Sequence, residues 1–211
     1  MPSLKEIAEG VIKGNEKLVK EKVQVLIDEG TEPLEIINQG LMAGMNVVGE
    51  RFKNGDMFVP EVMMAARAMS TGIGLVKPLI NDSDMLSVGK VVIGTVKGDL
   101  HDIGKNLVAM MVESAGFEVV NVGIDISSEK FAQAIREHSP DILGMSAMLT
   151  TTMMQMKETI EHLKSEGLRD KVKVIIGGAP VTKQFAEEIG ADGYSVDASA
   201  AAELCKYLVG A

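Results

Sequence analysis

The sequence predicts an α/β fold with two unlike halves: an N-terminal four-helix bundle, and a C-terminal doubly wound, flavodoxin-like (Rossmann-like) parallel sheet of five strands. Apolar residues recur at the helical period over residues 1–80, whereas short apolar runs alternate with helical stripes from residue 90 onward. Strands that alternate with helices imply right-handed crossovers and a parallel sheet. A polar segment at 80–89 separates the two patterns, so we expect a helical domain at 1–83 and a sheet domain at 90–211.

Four helices are expected in the first half, at residues 4–12, 15–30, 31–52 and 60–78. Asn15 is a suitable N-cap for the second helix, because its side chain can accept a hydrogen bond from a free backbone N–H. Pro33 falls in the first turn of the third helix and Pro60 opens the fourth, positions where the missing N–H of proline is tolerated. The short loops between these helices indicate a small bundle.

Five strands and five helices are expected in the second half. The strands are placed at 91–96, 118–122, 142–146, 172–176 and 194–196. The helices are placed near 103–116, 128–138, 152–166, 181–189 and 198–209. Nearly continuous apolar strands such as the fourth fit burial on both faces of a parallel sheet.

Composition restricts the class of protein. The net charge of −9 argues against a nucleic-acid partner, because such a protein must offer a basic face to phosphates. No apolar run reaches the roughly 18 residues that span a bilayer, and the N-terminus lacks the apolar region of a signal peptide. Cys205 is the only cysteine, which rules out an intrachain disulfide and favours a reducing cytoplasm. We therefore expect a cytoplasmic protein that contacts neither membrane nor nucleic acid.

One loop carries the residues of most chemical interest. The apolar run Val91–Ile93 leads into Gly94–Gly104, which contains Asp99 and His101. Loops at the carboxyl ends of strands are where open α/β sheets bind ligands. A histidine can offer Nε2 to a metal while Nδ1–H donates to a carboxylate, which fixes the tautomer and the ring orientation. Asp99 is placed to be that carboxylate, so the loop favours a metal-centred cofactor.

Other kinds of ligand-binding loop fit this segment less well. Its glycines lack the G-x-G-x-x-G spacing of a dinucleotide site, and they lack the spacing and the Lys-Ser/Thr pair of a P-loop. A helical metal-dependent phosphohydrolase needs further histidines nearby, but His138 and His162 have no ligand-like neighbours. One alternative stays open at this point: a polar loop in which His101 only caps or hydrogen-bonds locally.

Polar and glycine residues follow the later strands as well. The third strand runs into Ser146–Thr152, the fourth into Gly177 and Gly178, and Gly190–Gly193 precedes the fifth. Taken singly, the Ser and Thr residues are ordinary helix caps, and the glycine pairs are ordinary turns. Together with the His101 loop they would line one edge of the sheet, where glycine permits close approach of a bulky ligand.

The spacing of these groups resembles a known signature. The chain has Asp99-x-His101-x-x-Gly104, Ser146-x-Met148 and Gly177-Gly178, which are similar to the D-x-H-x-x-G, S-x-L and G-G motifs of cobalamin-binding domains. The N-terminal half resembles the helical cap that precedes this domain in methionine synthase and in methyltransferase corrinoid proteins. The resemblance covers nearly the whole chain, and size and layout are most similar to the corrinoid proteins of methanol, methylamine or O-demethylase systems.

The resemblance implies that three residues act around the cobalt. His101 would replace the cofactor's dimethylbenzimidazole as lower axial ligand and so be the one metal-binding residue. Asp99 would hold the far nitrogen of His101, and the hydroxyl of Thr152 would extend this hydrogen-bonded series. Thr152 stands where methionine synthase has serine, so its methyl group adds bulk there. Met148 replaces the leucine of the signature, a swap of similar volume.

The resemblance also implies where the cofactor would lie. The displaced nucleotide tail would enter a slot bounded by Gly104, Ser146, Gly177 and Gly178. Phe58 and Val62 would belong to the cap segment that covers the upper face of the corrin. The implied cofactor-binding residues are Asp99, His101, Asp102, Ile103, Gly104, Ser146, Met148, Thr150, Gly177, Gly178, Gly193, Phe58 and Val62.

The function implied by the resemblance is methyl transfer. Co(I) of a cobalamin or related corrinoid would take a methyl group from a substrate-specific methyltransferase. The methylcobalamin form, methyl-Co(III), would pass it to a second methyltransferase that serves a thiol or tetrahydrofolate. A reductive activator would be a third partner, and the chain would be a carrier rather than a complete enzyme. Two alternatives share the signature: a cobalamin-dependent sensor, and a small subunit of an adenosylcobalamin mutase.

Overall fold

The computed structural model describes residues 2–80 and 87–211. The chain divides into two compact units, and the second begins at Ser87. Residues 81–86 of the expected linker at 80–89 lie outside the described residues. The domain limits at 83 and 90 therefore stay predictions.

The first unit is helical, as predicted. Its α-helices are α1 (Pro2–Ile12), α2 (Glu16–Asp28), α3 (Pro33–Glu35), α4 (Ala43–Lys53) and α5 (Val59–Val76), with a π-helical segment at Ile36–Met42 and a 3₁₀ turn at Lys77–Leu79. Asn15 caps α2 as expected, because its side-chain oxygen accepts the N–H of Leu18 at 3.0 Å. None of the described helices is long and apolar enough to cross a membrane.

The expected third helix contains an irregular turn. The segment Ile36–Met42 is π-helical and separates α3 from α4, so 33–53 is one helical stretch with a widened centre. Gly44 follows this segment in α4, and a Cβ there would lie 2.7 Å from the carbonyl oxygen of Ala8 in α1. The close approach of α4 to α1 therefore requires glycine at this position.

The second unit alternates strands and helices. The strands are β1 (Lys90–Val96), β2 (Glu118–Ile126), β3 (Ile142–Ser146), β4 (Lys173–Gly177) and β5 (Gly193–Tyr194). The helices are α6 (Ile103–Ser114), α7 (Ser128–His138), α8 (Thr150–Ser165), α9 (Lys183–Ile189) and α10 (Ala198–Val209), with a 3₁₀ turn at Arg169–Lys171. The expected fold class is confirmed, and the one large difference is that β2 runs four residues further than the predicted strand.

The strand order determines where the site lies. All strand pairs are parallel, and the order across the sheet is β2-β1-β3-β4-β5. The chain leaves β1 toward one edge and returns to β3 on the other side of β1, so the crevice between the carboxyl ends of β1 and β3 is the topological switch point. His101 lies in the loop after β1, and Ser146–Thr152 runs from the last residue of β3 into the first turn of α8.

The core of this unit explains why the strands read as apolar runs. β1, β3 and β4 contribute residues that are almost fully buried on both faces of the sheet. One face packs against apolar residues of α7, α8 and α9, among them Phe131, Ile160 and Phe185. Burial of this kind makes the sheet a rigid platform for the loops at its carboxyl edge.

Candidate functional site

Asp99 lies at the centre of the switch-point crevice. It follows β1 in the turn that precedes His101, and its side chain is fully buried. A buried carboxylate is costly unless it is hydrogen-bonded, so its partners decide whether the site is stable. Those partners come from its own loop, from the loop after β3 and from the first turn of α8.

Both oxygens of Asp99 accept hydrogen bonds. Oδ1 lies 2.7 Å from Nδ1 of His101 and accepts the backbone N–H of His101 at 3.1 Å. Oδ2 accepts the backbone N–H of Met148 at 2.7 Å and the hydroxyl of Thr152 at 2.6 Å. The loops after β1 and β3 are therefore joined through one carboxylate, and the three residues that the signature linked to the cobalt form one contiguous series.

The surroundings of Asp99 favour its ionised form. Burial by itself raises the pKa of this carboxyl group. The hydrogen bonds from Thr152, the Met148 backbone and His101 together outweigh burial and hold the pKa of Asp99 well below its usual range. Asp99 is therefore an anion, which can only accept hydrogen bonds.

This protonation state determines the tautomer of His101. Because Asp99 can only accept, the close contact requires that Nδ1 of His101 carries the proton. In a neutral ring the lone pair is then on Nε2, which accepts no hydrogen bond from the residues the structure describes. The His101 side chain is 56% exposed, so Nε2 is accessible to a ligand.

The donor set fits a metal that arrives in its own macrocycle. Among residues 2–80 and 87–211, no three His, Cys, Asp or Glu residues are grouped so that they could hold a metal ion by themselves. A corrin supplies the cobalt with its equatorial ligands, so one histidine is the only side chain that the site needs. Exposed apolar residues lie in the loops that follow β1 and β3, or at the start of α6, namely Leu100, Ile103, Met148 and Leu149. Such a rim suits the flat apolar face of a large ring.

Three of the four residues expected to bound the tail slot, Ser146, Gly177 and Gly178, lie at the carboxyl ends of adjacent strands, and the slot itself stays a prediction. Ser146 of β3 pairs with Thr95 of β1 and with Gly177 of β4, so the three residues lie side by side. Gly178 has φ +130°, and a Cβ there would lie 1.8 Å from the carbonyl oxygen of Ala147. Only glycine lets the chain pass so close to β3. At Gly104, by contrast, a Cβ would meet no atom of the protein within 4 Å outside its own helix turn.

The other residues expected to bind the cofactor have distinct environments. Asp102 accepts a hydrogen bond from Asn106 in the first turn of α6, at 3.0 Å. Thr150 is exposed at the start of α8, and Gly193 lies in β5. Asp102 and Thr150 therefore lie near the carboxyl edge of the sheet, and Gly193 lies beside Ile175 of β4. The roles of all three residues stay predictions.

The two residues expected from the helical unit differ in exposure. Phe58 is 68% exposed and is the N-cap residue of α5, where its N–H donates to the Glu61 carboxylate at 2.8 Å. Val62 is fully buried. A fully buried side chain offers no free surface to a ligand, whereas the Phe58 side chain does, and the roles expected of both residues stay predictions.

Several residues around the loop were missed by sequence reasoning. The buried hydroxyl of Thr95 donates to the carbonyl oxygen of His101 at 2.9 Å. Lys105 is almost fully buried, and its ammonium donates to Oδ1 of Asn106 at 2.6 Å and of Asn121 at 2.7 Å. Burial lowers the pKa of Lys105, and the nearby Asp102 carboxylate partly opposes this change. A polar side chain inside an apolar strand was the available signal for Thr95, and a lysine on the inner side of a helix was the signal for Lys105.

Comparison with known proteins agrees with this geometry. Residues 89–203, which are more than half of the chain, match a family described as the B12 binding domain. Residues 3–77 match a second family with the same description. The chain is 46% identical over 207 residues to the dimethylamine corrinoid protein of Methanosarcina barkeri, covering 98% of this chain and 97% of that protein.

Two solved structures are similar over nearly the whole chain. One is the methanol:cobalamin methyltransferase complex from Methanosarcina barkeri, with a TM-score of 0.89 and 32% identity over 99% of this chain and 80% of that chain. The other is a cobalamin-binding protein from Desulfitobacterium hafniense DCB-2, with a TM-score of 0.82 and 34% identity. This second alignment covers 97% of this chain and 98% of that chain.

Proposed function

Because this chain belongs to the family of corrinoid proteins built on the B12 binding domain, we propose that it is a methyl carrier. It binds cobalamin or a related corrinoid, accepts a methyl group from a substrate methyltransferase and delivers the group to a second methyltransferase. The cobalt of the bound corrinoid supplies the methyl-accepting and methyl-donating chemistry. The residues of this chain would bind and orient the corrinoid, and His101 would hold its cobalt through Nε2.

The observation that carries this proposal is the Asp99–His101 pair at the switch point. The 2.7 Å contact fixes the His101 ring and directs the proton to Nδ1, which leaves Nε2 as a donor atom for cobalt. A carboxylate that holds the far nitrogen of a metal-binding histidine also raises the basicity of the ring. Thr152 and the Met148 backbone hold Asp99 in turn, so the ligand is supported through two successive layers of hydrogen bonds.

The partners follow from the exchange of a methyl group. A substrate-specific methyltransferase is supported by the similar complex that acts on methanol and by the relative named for dimethylamine. An acceptor methyltransferase that serves a thiol or tetrahydrofolate is needed to release the group. A reductive activator restores cobalt that has lost an electron by side reaction. We place these exchanges in the cytoplasm, where a single cysteine stays a free thiol. Cys205 is buried, and burial raises the pKa of its thiol to about 12, so it is an unreactive thiol.

The upper ligand of the bound corrinoid tests this function. We expect protein isolated in the dark from a corrinoid-producing host, during growth on a methylated substrate, to hold about one corrinoid per chain with a methyl group on cobalt. Extraction in the dark followed by mass spectrometry identifies that ligand. An adenosyl group instead would contradict the carrier and favour the sensor or the mutase subunit. Protein from the same host without the methylated substrate is the control for the origin of the methyl group.

Thr152 gives a second test, which addresses the support of the ligand. Thr152→Val keeps the shape of the side chain but removes the hydroxyl that donates to Asp99 at 2.6 Å. We expect the ratio of histidine-bound to histidine-free Co(II) to fall about tenfold, as is usual when an outer hydrogen bond to a metal ligand is lost. Thr152→Ser retains the hydroxyl and should stay near the wild-type ratio. Electron paramagnetic resonance of the Co(II) form measures this ratio.

A matched variant in the same helix provides the control for Thr152. Thr159 is also buried in α8, and its hydroxyl donates to the carbonyl oxygen of Gln155 at 2.7 Å. Thr159→Val therefore removes a buried hydroxyl without touching Asp99. If Thr159→Val lowers the ratio as much as Thr152→Val, or if Thr152→Ser is as impaired as Thr152→Val, the Thr152 hydroxyl does not support the ligand.

A further inference from the structure

The carboxyl-terminal end of β2 departs from regular strand geometry. Ile93 of β1 pairs with Asn121, but Gly94 pairs with Gly123 and Val96 with Ile126. β2 thus has one extra residue at each of two places, which are β-bulges on an edge strand. Bulges bend a strand and redirect its side chains. This bend brings the end of β2 to the loop that contains His101.

Asp125 lies in this bent segment with an unusual backbone conformation. Its φ is +54°, and among the described residues other than glycine only Ser139 shares a positive φ. Such a conformation is uncommon for residues with a side chain, although aspartate tolerates it better than most. Residues in such backbone conformations persist where the surrounding structure holds them, and they cluster at functional sites.

The position of Asp125 produces two hydrogen bonds to the turn before His101. Oδ1 of Asp125 accepts the N–H of Gly98 at 2.7 Å. The backbone N–H of Asp125 donates to the carbonyl oxygen of Asp99 at 3.2 Å. One residue of β2 therefore holds both Gly98 and Asp99, while Gly98 itself has φ +78°.

The same strand also supports the residues that follow His101. Oδ1 of Asn121 accepts a hydrogen bond from the Lys105 ammonium at 2.7 Å. Nδ2 of Asn121 donates to Oδ1 of Asn106 at 3.0 Å. The amide of Asn106 in turn donates to Asp102 at 3.0 Å. β2 thus contacts the chain on both sides of His101, at Gly98 and Asp99 before it and at Lys105 and Asn106 in α6 after it.

We propose that Asp125 is a positioning residue for His101, and this inference rests on the proposed role of His101 as the cobalt ligand. Asp125 fixes the backbone of Gly98 and Asp99, and Asp99 fixes the ring of His101 through Nδ1. Release of Gly98 lets the Asp99 carboxylate turn away from Nδ1. His101 then loses its orientation, although every residue that touches the corrinoid is unchanged.

Two substitutions at Asp125 separate the carboxylate from the backbone conformation. Asp125→Gly removes the acceptor and accepts a positive φ without strain, whereas Asp125→Asn keeps an acceptor oxygen that lacks the charge. In the protein without corrinoid we expect the Gly98 amide to exchange with solvent about tenfold faster in Asp125→Gly, because a hydrogen bond to a charged acceptor is lost. Nuclear magnetic resonance of the ¹⁵N-labelled protein measures this exchange.

The decisive measurement uses protein reconstituted with cobalamin at equal corrinoid content. We expect the ratio of histidine-bound to histidine-free Co(II) to fall about tenfold in Asp125→Gly, the usual size of effect for an outer-layer residue. The ratio should fall less in Asp125→Asn than in Asp125→Gly, because a neutral acceptor still forms a hydrogen bond, although a weaker one. Labelled histidine identifies the bound nitrogen in the paramagnetic resonance spectrum of the Co(II) form, and thermal melts of each protein report its stability.

Two control variants match the two features of Asp125. Ser139→Gly changes the other non-glycine residue with positive φ, at the end of α7. Asp141→Asn changes a carboxylate that accepts the Lys90 N–H at 2.8 Å, at the opposite edge of the sheet. Both should retain the wild-type ratio, whatever their effect on the melting temperature. A ratio that falls equally in these controls would assign the effect to general stability and overturn the proposal.

The possible failures can be told apart. A wild-type ratio in Asp125→Gly, with histidine bound in the wild-type protein, overturns the role of Asp125 and leaves the proposed function in place. Absence of histidine ligation in the wild-type protein overturns both. Faster Gly98 exchange together with an unchanged ratio shows that the hydrogen bond exists but does not orient His101, which also overturns the proposal.

Discussion

Replacing His101 with alanine is expected to abolish histidine ligation of the cobalt while part of the corrinoid binding survives. His101 is the only histidine at the switch point, because His138 lies at the end of α7 and His162 in α8, and its Nε2 accepts no hydrogen bond from the described residues. The proposed tail slot is lined by Gly104, Ser146, Gly177 and Gly178 and does not include the imidazole, so its contacts should retain corrinoid with lower affinity. We expect the rate of methyl delivery to fall by more than about 100-fold, since even outer-layer changes cost 10–100-fold.

Paramagnetic resonance of Co(II) in protein that contains ¹⁵N-histidine measures this ligation directly. Wild-type protein should show nitrogen coupling that changes with the isotope, and His101→Ala should show none. The chain has two further histidines, His138 at the end of α7 and His162 in α8, and their alanine variants are the matched controls. Isotope-dependent coupling that persists in His101→Ala, or disappears in either control, would show that another histidine binds the cobalt.

The fold could be predicted from sequence largely because its strands are buried on both faces. β1, β3 and β4 are continuous apolar runs, and their observed limits lie within one residue of the predicted ones. β2 was predicted to end at 122, just before Gly123, a residue type that weakens a strand interior and often marks a bulge. In the structure Gly123 has φ +95° within a bulge, and the strand continues to Ile126. Such pairing depends on the neighbouring strand, which no local pattern records.

The irregular turn in the helical unit shows a similar limit. Residues 33–53 have the apolar period of one helix, and the sequence contains no proline or cap that would indicate the π-helical segment at Ile36–Met42. The π-helical segment instead packs closely against α1, because a Cβ at Gly40 would lie 3.1 Å from the Ile7 side chain. The spacing of apolar residues in the sequence predicts which face of a helix is buried. Whether a turn is α-helical or π-helical depends on the element that packs against it.

The site was predictable to the extent that its residues follow strands directly. Asp99 and His101 lie in the loop after β1, Thr152 lies in the first turn of α8, and hydrogen bonds join the three residues. Asp125 could not be predicted, because an aspartate near the end of a strand gives no sign of a positive φ or of a distant partner. Its contact with Gly98 spans 27 residues of sequence and depends on two bulges.

Gly104→Ala is the second substitution for which we expect a large effect, namely a loss of corrinoid affinity. Gly104→Ala adds a methyl group that meets no protein atom within 4 Å outside its own helix turn, and the residue lies in α6, where alanine is favoured over glycine. The corrinoid-free protein should therefore gain up to about 1 kcal/mol of unfolding free energy. The same methyl group would occupy the proposed tail slot, so we expect cobalamin affinity to fall about 10–100-fold, which corresponds to ordinary overpacking.

Two comparisons separate the slot from other causes of weak binding. Gly74→Ala in α5 is the matched control, because a Cβ there also meets no atom within 4 Å. It should raise stability similarly and leave cobalamin affinity unchanged. Cobinamide, which lacks the nucleotide tail, should bind Gly104→Ala as well as it binds wild-type protein. Titration followed by absorbance gives all five affinities, three for cobalamin and two for cobinamide. Equal loss of affinity for cobalamin and cobinamide would place the added methyl group against the corrin ring, and an unchanged cobalamin affinity would remove Gly104 from the slot.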